Sequence, residues 1–157
     1  MVTTNFWLTG LSALFVVIFG IIVGLFAIIK SIKTKQKLLR NFGIMAIFMG
    51  LLLLGPATDF LFVLLTGSNI DFFLYVRLSY MWVVPGIVFM MWIGGELLAP
   101  RAKWYIVGVF TVIGLIFMYL LFFDTLNSFK PYENPMGEDV IDSSFNTGAL
   151  PFIIIVV

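Results

Sequence analysis

The chain has 157 residues, of which 62% are hydrophobic and only 11% charged, with a formal net charge of +1. Soluble domains carry roughly 25% charged residues, so this chain lacks the polar surface to cover a water-exposed globule. Cysteine and histidine are both absent, which removes disulfides, thiolate metal sites, imidazole ligation of haem and the usual general base.

The apolar residues form long blocks, unlike the alternation of a porin-type barrel. Runs of about 18 or more apolar residues mark membrane spans, and a single span satisfies its own backbone in lipid only as a helix. The first predicted span is Phe6–Ile29. It starts without a basic residue and ends in a basic cluster, a layout unlike that of a cleaved signal peptide. Gly20, Gly24 and Ala27 within it form a small-residue stripe that lets helix backbones approach. The following connection, KSIKTKQKLLR, holds Lys30, Lys33, Lys35, Lys37 and Arg40 and no acid.

The second predicted span is Phe42–Leu65. Gly43, Gly50 and Ala57 give it a small stripe at heptad spacing, expected to serve packing within the chain in preference to dimerisation. Pro56, beside Gly55, removes an intrahelical hydrogen bond and predicts a kink. Three residues later comes Asp59, inside the span. The connection TGSNID (66–71) has no basic residue.

The third span, Phe72–Leu98, contains Arg77, Tyr80, a second predicted kink at Pro85-Gly86, and Glu96, which is expected to pair locally with Arg101 or Lys103. The fourth is Trp104–Phe123. Residues 124–146 then carry Asp124, Glu133, Glu138, Asp139 and Asp142 against Lys130 alone, with turn chemistry at Lys130-Pro131, Asn134-Pro135 and Gly137. Their spacing is not that of an EF-hand, and no metal or cofactor site is expected. A fifth apolar block begins near Thr147 and is incomplete at Val157, so the expectation is a fragment of a longer, seven-helix protein.

The fold class is therefore an all-α membrane protein, a polytopic helix bundle. By the rule that Lys and Arg stay on the cytoplasmic side, residues 30–41 and 99–103 face the cytoplasm, and the N-terminus and residues 124–146 lie outside a cell membrane. Charges inside spans are costly and mark polar sites by default. Asp59 and Arg77 sit at matched depth, about 8–10 Å below the outer surface by helical rise, on spans joined by a short loop. They are expected to pair, and together with Tyr80 they form the candidate intramembrane site. No HExxH, GxSxG or P-loop occurs, so no enzymatic activity is expected, and nothing points to nucleic acid.

The segments LLGPATDF, FFLYVRLSYMW and VVPGIVFMMW, the long Asn-containing loop after span four and the Gly-plus-aromatic start of span five resemble a known arrangement. It is the N-terminal seven-helix sensor region ahead of some prokaryotic histidine kinases, matched over roughly residues 42–152. Ile-Gly-Gly-Glu at the inner end of span three departs from it. The resemblance implies a sensor or receptor-type module working through a downstream cytoplasmic signalling domain or protein. The two Gly/Pro-interrupted spans keep a secondary transporter or permease open as the alternative. The lipid bilayer and a second copy of the chain, as a homodimer, are the remaining partners to consider.

Overall fold

A computed structural model of the chain describes residues 4–130 and 137–156. The predicted turns at Pro131 and at Asn134-Pro135, the acid Glu133, and the chain's two ends lie outside the described residues. Among the described residues eight helices follow one another: α1 (Thr4–Thr34), α2 (Lys37–Leu51), α3 (Leu54–Thr66), α4 (Phe72–Tyr80), α5 (Val83–Leu98), α6 (Lys103–Phe123), the single turn α7 (Thr125–Ser128), and α8 (Leu150–Val156). Among the described residues the only strand-like feature is one antiparallel bridge, Phe129 to Phe145. Three helical stretches are long and apolar enough to cross a membrane: α1, α4 with α5, and α6. The bent pair α2–α3 makes a fourth if it counts as one span.

The basic connection is shorter than its sequence suggests. α1 continues past Ile29 to Thr34 and α2 restarts at Lys37, so Lys35 and Gln36 alone turn the chain. Lys35 accepts a left-handed conformation (φ 55°), and the buried Ser31 hydroxyl donates to the Gln36 carbonyl at 2.8 Å.

The helices break ahead of both Pro56 and Pro85. α2 and α3 meet at 44° across Leu52–Leu53, immediately before Gly55-Pro56. Pro56 has no N–H to give the Leu52 carbonyl, and its ring crowds that carbonyl. Pro85 acts likewise on Met81, and the break between α4 and α5 falls at Met81–Trp82.

The two small-residue stripes face each other. A side chain at Gly20 would meet the Gly50 backbone at 2.7 Å, and one at Gly43 would meet the Gly24 carbonyl at 2.6 Å. Farther along the same antiparallel seam Ala57 packs with Ala13 and Val17, and Gly10 lies flat on the Phe60 ring. The stripes thus serve contact within the chain, as expected, and bring α1 against both halves of the bent pair.

The remaining helices pack α2 on α5, α3 on α4, α5 and α4 on α6, and α6 on α7 and α8. The largest buried cluster lies at the end of the bundle that carries residues 66–71, 124–130 and 137–149, hereafter the loop end. Phe6, Phe60, Val63, Tyr75, Val76, Phe117 and Leu121 from the helices meet Ile70, Phe129, Val140 and Ile141 from the connections there. Large apolar side chains such as Phe15, Phe19, Ile22 and Phe26 on α1 and Val109, Val112 and Leu115 on α6 point outward, the surface a helix presents to lipid rather than to water.

Candidate functional site

Asp59 is fully buried. It sits near the middle of α3, two turns before the helix ends at Gly67, whose left-handed φ of 74° and N–H to the Val63 carbonyl form an αL cap. That tight turn sends residues 68–70 back along α3, so the Ile70 amide reaches Asp59 Oδ1 at 2.9 Å. Asn69 Nδ2 donates to Asp59 Oδ2 at 2.8 Å. The third donor comes from 82 positions away, the Ile141 amide, at 2.8 Å from the same oxygen.

Asn69 extends the network. Its Nδ2 also donates to the Asp139 carbonyl at 2.9 Å, and its Oδ1 accepts from the Gly137 amide at 2.7 Å. Gly137 (φ 82°) closes directly over Gly67, and a Cβ there would collide with the Gly67 carbonyl. Asp59 and Asn69 together therefore hold residues 137–141 against the loop end, while Val140 and Ile141 enter the apolar core. Asp71 ends this connection as the N-cap of α4, its Oδ1 accepting from Phe73 and Leu74.

Tyr80 joins the same segment from α4. Its hydroxyl donates to the Ser143 carbonyl at 3.1 Å, and its ring packs against Phe129 and Phe145 with centroids 4.8 and 5.0 Å away. The bridge between Phe129 and Phe145, flanked by hydrogen bonds from Lys130 to Ser144 and from Asn146 to Ser128, gives the segment a second attachment.

The expected ion pair between Asp59 and Arg77 does not form. Arg77 turns toward α6, where it donates to the Phe122 carbonyl at 3.1 Å and lies over the Phe122 ring at 5.4 Å. Matched depth proved insufficient because a partner must also share a helix face, and the face of α3 that carries Asp59 is taken by the returning loop. The three-residue candidate site thus divides in two: Asp59 and Tyr80 grip residues 137–145, and Arg77 stands apart. Asn69 was missed by the sequence reading. Its signal was a lone amide in a six-residue connection opposite the Val140-Ile141 pair, an apolar step inside an acidic loop.

At the opposite end Lys103 pairs with Glu96 at 2.6 Å and lies between Trp92 and Trp104, the local pair expected there; Arg101 is not part of it. Among the described residues no three acidic side chains converge as a metal site would require. Comparison with protein-family models, with curated proteins and with solved structures returned no match.

Proposed function

We propose that this multi-pass, all-α membrane protein is a receptor-type module whose sensing element is the segment 137–145, docked on the extracytoplasmic end of the bundle. The observation that carries the reading is the use made of Asp59. A buried carboxyl group is an expensive anchor, and this one directs its hydrogen bonds to connecting segments instead of to another helix. Asp59 is thus the polar hub for residues 137–141, while Tyr80 and the Phe129–Phe145 bridge attach residues 143–146 separately, so a ligand or condition that favours release from the hub would shift a two-state equilibrium. The helix breaks at Leu52–Leu53 and Met81–Trp82 lie between the loop end and the opposite end of the bundle, where Lys35, Gln36 and Arg101 sit, which gives the docked segment a lever on that end. The resemblance to histidine-kinase sensor regions supports the same reading and would place an output domain on the cytoplasmic side.

The alternative, a secondary transporter, draws on the same two breaks. Carriers gather polar half-helix ends around a midplane site, whereas here the breaks hold Leu52, Leu53, Met81 and Trp82, with Trp82 stacked on Phe48.

The test uses spin labels on cysteines replacing Gln36 and Arg101, both exposed at the basic end. Releasing the segment with Asn69→Ala or Asp59→Asn should change the distance between them by about 2 Å or more, the scale of helix shifts in switching proteins. An unchanged distance, with the segment shown to be released, would reduce it to a structural plug and end the receptor reading.

A further inference from the structure

Between the loop ends of α4 and α6 lies a cleft of about 350 Å³, within the roughly 300–1,000 Å³ typical of small-molecule sites. Its polar side is Arg77, Asp124 and Asn127; its apolar side is Phe73, Phe122 and Phe123. Arg77 has no ion-pair partner among the described residues, and its Nε is buried without a hydrogen bond. Its engaged nitrogen meets only the neutral Phe122 carbonyl. Asp124, which lines the same cleft, uses Oδ1 to accept from Asn127 at 2.6 Å. One cation whose Nε lacks a hydrogen-bond partner and one carboxyl group thus line the same small, aromatic-walled space. Arg77 is five residues into α4, about 8 Å from its end by helical rise, which is headgroup depth for a helix that crosses a bilayer. Phe123, 78% exposed, continues the apolar wall outward.

We infer that the Arg77–Asp124 cleft binds the zwitterionic headgroup of a phospholipid, with the phosphate on the Arg77 guanidinium and a primary ammonium on Asp124. A guanidinium presents paired N–H donors to phosphate oxygens. A primary ammonium donates to a carboxyl group and is attracted to aromatic faces such as Phe73 and Phe122. An anionic lipid without an amine would use half of the site. A quaternary ammonium, having no N–H, would meet Asp124 without a hydrogen bond. The inference requires only that the loop end meets a bilayer surface, on whichever side, so it stands or falls separately from the receptor reading.

The experiment measures lipid retention by the full chain, delipidated in detergent and then offered phosphatidylethanolamine, phosphatidylglycerol or phosphatidylcholine of one acyl composition, with native mass spectrometry as readout. The ethanolamine lipid should be retained about tenfold better than the other two, a difference of one well-made charged contact. Arg77→Gln should lose that retention about tenfold, Arg77→Lys should keep part of it, and Asp124→Asn should bring the ethanolamine lipid down to the glycerol lipid. The Asp124 variant, which leaves Arg77 and its contacts with Phe122 in place, keeps the test decisive if Arg77→Gln unfolds. Equal retention by wild type and Arg77→Gln, or a preference untouched by Asp124→Asn, would overturn the inference. Displacement of the lipid by equimolar soluble phosphoethanolamine would assign the cleft to a free zwitterion and overturn the lipid assignment.

Discussion

The amide of Ile141 donates to Asp59 Oδ2 at 2.8 Å. This bond joins the middle of α3 to the long connection after α6. Oδ2 accepts from Asn69 at the same time, and the two donors make this oxygen the pivot of the loop end. Leaving a buried donor unpaired costs about 1–3 kcal/mol, so the pivot is where a small change has the largest reach.

Replacing Asp59 with Asn should undock residues 137–141. An amide presents one acceptor oxygen where two are in use: it can serve Ile70, or Asn69 with Ile141, and the remaining position holds an NH2 facing donors. The expected loss is about 2–4 kcal/mol. Hydrogen exchange of the Ile141 amide should accelerate by about tenfold or more while that of α1 stays the same. Equal exchange in both proteins would show that the apolar burial of Val140 and Ile141 holds the segment without Asp59.

The glycine seam makes a paired prediction. Gly43→Ala would place a methyl group 2.6 Å from the Gly24 carbonyl and force α1 and α2 apart, at a cost of about 1–3 kcal/mol. Gly94→Ala meets nothing within 4 Å and should be neutral or gain up to about 1 kcal/mol from helix propensity. Thermal unfolding in detergent compares the two; similar midpoints would mean the seam does not hold the helices together.

Sidedness is measurable with an impermeant maleimide, because the chain has no cysteine. Cysteines at Gln36 and Ser144, both exposed, should label from opposite faces of a sealed membrane, Ser144→Cys from outside. Ser31 is buried and engaged with Gln36 and would label poorly for that reason alone. Labelling of both positions from one face would contradict the inferred topology.

Pro56→Ala should straighten the second span. The new amide can pair with the Leu52 carbonyl, and the 44° bend should shrink, as read by the distance between labels on Phe42 and Leu65. Gly55, whose Cβ position is taken by Ser79 and by the Tyr75 carbonyl at 2.7 Å, holds α3 close to α4. If the distance does not change, that contact sets the bend and the proline merely fits it.

The amino-acid sequence by itself determined the helical class, the apolar stretches, the proline positions at which helices break and the two small-residue stripes; that the stripes face each other came from the structure. The features read from sequence are local or periodic. A span depends on hydropathy summed over some twenty residues, a kink on one missing N–H, and a seam on small residues recurring along one helix face. Tertiary structure alone decided which polar group meets which. Charge and depth made Asp59 and Arg77 look like partners, but a side chain's partner depends on helix rotation and on where a connection folds back. The return of residues 68–70 along α3 and the descent of residues 137–141 onto the same spot placed three N–H donors on Asp59. Arg77 was left to α6, where it faces a cleft that no local pattern in the chain announces.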